Sequence, residues 1–101
     1  KIQSKSDIWI ITNTTEVHIK NLMKKFIFLN RVDGIITSER AGAHKPDPII
    51  FQFALEEAGS NALSAIFIDD NNTNVRAAEN LGIVSHSYID FEGLIKFLDN
   101  I

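Results

Sequence analysis

Four short apolar runs, separated by stretches with helical periodicity, restrict the fold of this chain more than any other feature of its sequence. The runs are Ile8 to Ile11, Gly34 to Thr37, Ala65 to Ile68 and Ile83 to Ser85, rich in β-branched and aromatic residues. Their apolar residues are consecutive and do not alternate with polar ones, the pattern of strands covered on both faces in a parallel sheet. Parallel strands need long crossovers, and the intervening sequence supplies them as helices. Ile19, Leu22, Met23 and Phe26 recur at i, i+3, i+4, i+7, as do Phe51, Ala54, Leu55 and Ala58. A third helix from about Thr73 to Leu81 offers Val75, Ala78 and Leu81, and a fourth repeats the template with Phe91, Leu94, Ile95 and Leu98. Punctuation agrees. Asp47 and Pro48 suit a helix start, Asn72 and Asp90 can cap the third and fourth helices, and Gly59 and Gly82 follow helix ends.

Strand and helix alternating in this way predict an α/β fold, a Rossmann-like open parallel sheet with flanking helices. A length of 101 residues and 45% hydrophobic content suit one domain with a core. The balance of 10 Lys+Arg against 13 Asp+Glu, with no basic stripe, argues against a nucleic-acid partner. No run approaches the roughly 20 apolar residues of a membrane span, and the first residues, KIQSKSD, contain no apolar signal-peptide core. The expectation is a soluble, cytoplasmic domain without a membrane partner. The absence of Cys removes disulfides, thiolate nucleophiles and Cys-bearing metal sites.

In open α/β sheets, ligands bind outside the carboxyl ends of the strands, so the polar residues after each run carry the functional reading. Thr12-Asn13-Thr14 follow the first run and Asp69-Asp70-Asn71-Asn72 the third, and Lys45 precedes Pro46-Asp47-Pro48 after the second. A hydroxyl, an ammonium and two adjacent carboxylates are the parts needed to hold a phosphate and a divalent metal. Adjacent carboxylates repel unless a cation or hydrogen-bond donors sit between them, and Mg²⁺ suits such a pair because it takes one or two carboxylates, waters and substrate phosphate. Asp-Asp-Asn-Asn is also good turn chemistry, and taken alone the dipeptide favours a helix cap. Lys45 alone reads as a solvated loop residue; the three groups carry weight together because they follow three different strands. His18 suits a helix surface, and His44 and His86 lack metal-ligand spacing, which disfavours zinc. Trp9 and most of the seven Phe read as core. Gly-rich nucleotide loops and the GxSxG elbow are absent.

Across nearly all 101 residues the chain resembles the haloacid dehalogenase (HAD) superfamily of aspartate-nucleophile phosphohydrolases. The stretch IWIITNT resembles its second motif, GIITSERAGAHKPDPIIFQFALEEAG the segment carrying its third, and AIFIDDNNTNVRAAENLGI its fourth. The resemblance implies that Thr12 donates to the transferring phosphoryl group and that Asn13 shapes the turn. Lys45 would neutralise charge on the phosphoryl group and the nucleophile. Asp70 would ligate Mg²⁺ directly, Asp69 would act through water or a hydrogen bond to the lysine, and Asn74 would lie behind them at the helix start.

The family's first motif, a strand ending in Asp-x-Asp, has no counterpart: Asp7 precedes the first run, and Asp33 is followed by Gly-Ile-Ile. In the family's sheet that strand lies between the strands ending here at Thr12 and Asp69, so two strand edges are expected to lack a neighbour. The first residue is Lys1, and residues 1–101 read as the C-terminal portion of a HAD-like core domain. Its missing partner would be an N-terminal segment carrying the nucleophile strand and the cap. The implied activity is Mg²⁺-dependent hydrolysis of a small phosphorylated metabolite through an aspartyl-phosphate intermediate, with these 101 residues inactive alone. The alternative is a degenerate relative that binds phosphate or Mg²⁺, or a partner, without catalysis.

Overall fold

Each apolar run becomes a strand, displaced by at most two residues from its predicted limits. A computed structural model describes residues 7–100, so the leader reading of KIQSKSD falls almost wholly outside the described residues. Residues Asp7–Gly59 form one compact unit and those from Ser60 onward form another.

In the first unit, β1 (Trp9–Thr12) and β2 (Gly34–Thr37) pair in parallel, with Trp9 opposite Gly34 and Thr12 opposite Thr37. The crossover between them is α1 (Glu16–Lys25) and a 3-10 turn at Ile27–Asn30. A one-turn helix, α2 (Ser38–Ala41), follows β2 and was not legible in the sequence. The longer α3 (Pro48–Ala58) starts with Asp47 as N-cap and Pro48 in its first turn, and ends at Gly59, whose φ of 65° suits a residue without Cβ. α3 packs against both strands. Ile36, Ile50 and Phe51 are at most 1% exposed and form the centre of this core. Each contributes about 1.5–3 kcal/mol by leaving water.

Trp9 and Gly34 fix how β1 lies beside β2. A Cβ built on Gly34 would sit 2.1 Å from the indole Cζ3, so the ring occupies the space above the glycine. The absent side chain is what lets the large one lie across the neighbouring strand.

In the second unit, β3 (Ile66–Asp69) and β4 (Val84–Ser87) form the other parallel pair, crossing over through α4 (Asn72–Asn80). α5 (Phe91–Asp99) follows, capped by Asp90 as expected. α4 packs against both strands, with Val75 and Ala78 buried. Its N-cap is Asn71, one residue earlier than expected, because the Asn71 side chain reaches the N–H groups of both Thr73 and Asn74. His86 lies within β4 and stacks on Phe97 with ring centroids 4.6 Å apart.

The parallel pairing agrees with the predicted α/β class, whereas coverage of both strand faces is only partial at β3 and β4, where α5 meets the second face through Phe97 stacked on His86. α4 holds the side bearing Asp69, while Ile66, Ile68 and Val84 on the other are 37–46% exposed. Among the described residues β1 pairs only with β2, and β3 only with β4. The aromatic residues are also less uniformly buried than expected: Phe51 is core, but Phe26 and Phe91 are exposed. No described helix is long and apolar enough to cross a membrane.

Gly34→Ala should lower stability by about 1–3 kcal/mol, the usual cost of overpacking. Urea denaturation of Gly34→Ala, Trp9→Leu and the double variant checks this; the double variant should recover part of the Gly34→Ala loss, and strict additivity would show that the ring does not depend on the glycine.

Candidate functional site

Thr12 ends β1, and the chain turns at once, with the Thr14 N–H donating to the Thr12 carbonyl at 3.0 Å. Thr15 then caps α1 by accepting from the His18 N–H at 3.1 Å. Between them, Asn13 reaches across 32 positions to Lys45. Its Nδ2 donates to the Lys45 carbonyl at 3.2 Å, and its Oδ1 accepts from the Lys45 N–H at 2.8 Å. A carboxamide offers both a donor and an acceptor, so Asn13 satisfies both backbone groups of the lysine as a neighbouring strand would. The sequence suggested turn geometry for Asn13; the structure adds this longer-range role.

The other side of Lys45 is held by its own loop. The Lys45-Pro46 bond is cis, the Asp47 N–H donates to the His44 carbonyl at 2.8 Å, and the Asp47 carboxylate accepts from the Ile49 N–H at 3.0 Å. The lysine backbone is thus fixed by Asn13 on one flank and by the capped start of α3 on the other. Its side chain is half-buried.

A second network joins the loops after β1 and β2, and sequence reasoning missed it. The fully buried Thr37 donates through its hydroxyl to Glu16 Oε2 at 2.7 Å and accepts from the Arg40 N–H at 3.0 Å, capping α2. Glu39 Oε1 accepts from the Glu16 N–H at 2.7 Å, and Ser38 Oγ donates to the Thr14 carbonyl at 3.1 Å. The participants lie 21 to 24 positions apart, so no local pattern announces them. A cavity of about 390 Å³ opens here, with Asn13, Thr14, Ser38, Glu39 and His44 in its wall.

In the other unit the carboxylate pair divides its work. Asp69 at the end of β3 accepts through Oδ1 from the Asn71 N–H at 3.0 Å and through Oδ2 from the Asn74 Nδ2 at 3.1 Å. Its carbonyl takes the Tyr88 N–H at 2.7 Å, extending the ladder to β4. Asn74 is 7% exposed, and this bond to Asp69 gives its buried amide a partner. Ser87 Oγ donates to Asn72 Oδ1, tying the end of β4 to the start of α4. Asp69 therefore organises the loop, Asn71 caps the helix, and Asp70 stands exposed beside them. The cap role that the sequence offered to the Asp pair belongs to Asn71.

An exposed carboxylate next to one already held by donors fits a hard divalent ion that takes few protein oxygens and completes its shell with water and phosphate. Among the described residues no three His, Asp or Glu side chains converge into a full cage. Asp70 and Asp69 are the residues that could hold such an ion. His18 is exposed on α1, where its N–H donates to the Thr15 cap.

Thr12, Asn13 and Lys45 thus belong to one unit, and Asp69, Asp70 and Asn74 to the other. Comparison with known proteins agrees with the motifs these residues make. Residues 3–87 match the family model described as haloacid dehalogenase-like hydrolase. The chain is 30% identical over 77 residues to the sesquiterpene phosphatase astK of Aspergillus oryzae, covering 76% of this chain and 39% of that protein. It is 33% identical over 94 residues to phosphate metabolism protein 8 of Saccharomyces cerevisiae, covering 84% of this chain and 29% of that one. Among solved structures, a HAD family enzyme of Bacteroides thetaiotaomicron in complex with magnesium and inorganic phosphate superposes with a TM-score of 0.74 at 27% identity, over 89% of this chain and 50% of that one. The chain spans half or less of the length of these relatives. By its family match, its motifs and its parallel α/β fold, it belongs to the haloacid dehalogenase-like hydrolases.

Proposed function

We propose that these residues form the phosphoryl-holding and metal-holding part of a Mg²⁺-dependent phosphatase acting on a small phosphorylated metabolite. The observation that carries this reading is the Asn13 bridge, which fixes the Lys45 backbone against the end of β1, next to Thr12. The phosphatase relative and the relative bound to magnesium and phosphate support it.

In this reading Thr12 donates its hydroxyl to a non-bridging phosphoryl oxygen, and the Lys45 ammonium balances charge on the equatorial oxygens. Phosphoryl transfer depends mainly on such positioning and charge compensation. Asn13 positions the lysine, and Asn74 positions Asp69 through its carboxamide. Asp70, with Asp69 beside it, would hold Mg²⁺, which supplies further positive charge to the phosphoryl oxygens when bound. The nucleophile is an aspartate from a segment outside these 101 residues, since the sequence contains no Asp-x-Asp. Its carboxylate oxygen bonds to phosphorus as the bond to the leaving oxygen breaks, and the departing oxygen takes a proton from the second carboxyl group of that motif; the resulting carboxylate then takes a proton from water as the water oxygen attacks phosphorus, which releases inorganic phosphate and restores the aspartate. The segment would also bring the cap. The lack of Asp-x-Asp equally motivates a second reading, a non-catalytic module that binds phosphate or Mg²⁺.

The test uses the longer polypeptide that includes the nucleophile segment. Asp70→Asn should abolish Mg²⁺-dependent hydrolysis of an aryl phosphate while thermal melting stays nearly unchanged; full activity would remove Asp70 from the metal shell. Lys45→Met should cost roughly 10²-fold or more in kcat and weaken phosphate binding, the scale of losing a charge-stabilising group. Unchanged kinetics would make it a surface residue. Residues 1–101 alone should show no turnover, and any genuine turnover would contradict a nucleophile located elsewhere.

The bridge has its own prediction. Asn13→Asp keeps the acceptor and loses the donor, and Asn13→Leu loses both, so kcat/KM should fall in the order wild type, Asp, Leu, with about 0.5–1.5 kcal/mol of stability lost per hydrogen bond. Equal kcat/KM in all three would show that the lysine holds its place without Asn13.

A further inference from the structure

The turn that carries Thr12 is tied to the loop leading to Lys45 at two places. The first is the Asn13 bridge to the Lys45 peptide groups. The second runs through Ser38, which opens α2 directly after Thr37, the register partner of Thr12. Ser38 is 6% exposed and bonds to both loops at once. Its hydroxyl donates to the Thr14 carbonyl at 3.1 Å, and the Thr14 N–H closes the turn on the Thr12 carbonyl. Its own carbonyl accepts from the Gly42 N–H at 2.9 Å and from the Ala43 N–H at 3.2 Å, the latter two positions before Lys45.

One bridge holds two loops together but leaves them a pivot, and a second bridge at a different point removes it. The residues on either side of Ser38 grip α1 as well: the Thr37 hydroxyl donates to Glu16 Oε2, and Glu39 Oε1 accepts from the Glu16 N–H, both at 2.7 Å. Those side-chain bonds land on the helix beyond the turn, whereas the Ser38 hydroxyl lands on the turn itself. The Thr14 carbonyl also accepts from the Glu39 N–H at 3.3 Å, so removing the Ser38 hydroxyl orphans no carbonyl. What that hydroxyl adds is a restraint. Restraint has consequences at a reacting centre, where a displacement of about 1 Å can cost roughly 10²-fold in rate.

We infer that Ser38 is a positioning residue: through Thr14 it fixes where the Thr12 hydroxyl stands relative to Lys45, without itself touching the phosphoryl group. The inference rests on the phosphatase reading above and deepens it by naming the residue that supports Thr12 from behind.

The experiment measures steady-state kinetics of the longer polypeptide hydrolysing an aryl phosphate with Mg²⁺. Ser38→Ala should lower kcat about tenfold and change KM by less than about twofold, the pattern of an interaction felt in the transition state. A double-variant cycle separates positioning from general loosening. With the Thr12 hydroxyl gone, Ser38 has less to position, so in a Thr12→Val background Ser38→Ala should cost kcat about threefold or less. Ser38→Cys, which keeps a weak donor, should fall between Ser38→Ala and the wild type. Thermal melting accompanies each variant, and if Ser38→Ala melts far below the wild type the same cycle is read with Ser38→Cys. A kcat loss below about threefold in the wild-type background, or one above about threefold in the Thr12→Val background, would overturn the inference and leave the phosphatase reading standing. Absence of aryl phosphate turnover in the wild type would defeat the phosphatase reading, and the inference with it.

Discussion

The bond pair between the Asn13 carboxamide and the Lys45 peptide groups is the constraint on which the first unit's polar edge depends. Lysine is a poor candidate for a fixed charge, because its flexible stem carries much rotamer entropy. Holding its backbone fixes where the stem begins, so that only the side chain's own rotations remain. Asn13 does this from the end of β1, and Asp47, which caps α3 and donates its N–H to the His44 carbonyl, braces the residues on either side. The lysine is thereby referred to two regular elements instead of to a loop, and in the proposed phosphate-holding role this would supply the preorganisation that electrostatic catalysis demands.

The second unit solves a related problem with neighbouring like charges. Two adjacent carboxylates after a strand invite repulsion, and the structure gives them different surroundings. Asp69 receives the Asn71 N–H and the Asn74 amide, and Asp70 remains exposed to solvent. Donors directed at Asp69 stabilise its charge and lock the loop, so Asp70 is presented from a rigid base. Asn74 carries this arrangement into α4, where its own burial requires the partner that Asp69 provides.

Much of this was legible in the sequence because the signals are local. Consecutive apolar runs, the 3.6-residue period, the Asp47-Pro48 start and the Gly59 stop each report on a few neighbouring residues, and the strands, four longer helices and most caps follow from them. The three polar clusters were legible because a parallel fold delivers residues after its strands to the strands' carboxyl ends. What could not be read is set by tertiary contact. Asn13 meeting Lys45, Thr37 meeting Glu16, and Glu39 capping another helix's first turn involve partners more than twenty positions apart with no periodic trace. The exposure of Ile66, Ile68 and Val84 was missed for a different reason. An apolar run reports that a strand can be covered on both faces, not that the residues at hand supply both covers in full.

In the proposed phosphatase, Thr12 and Lys45 would serve one phosphoryl group, and Asp70 would hold the metal that serves it too. A crystal structure of the longer polypeptide grown with Mg²⁺ and inorganic phosphate tests this directly. The expected result is a single phosphate within about 3 Å of both Thr12 Oγ1 and Lys45 Nζ, and Mg²⁺ bound by an Asp70 oxygen at about 2.1 Å. Phosphate bound elsewhere, or contacting Thr12 and Lys45 in separate sites, would contradict it.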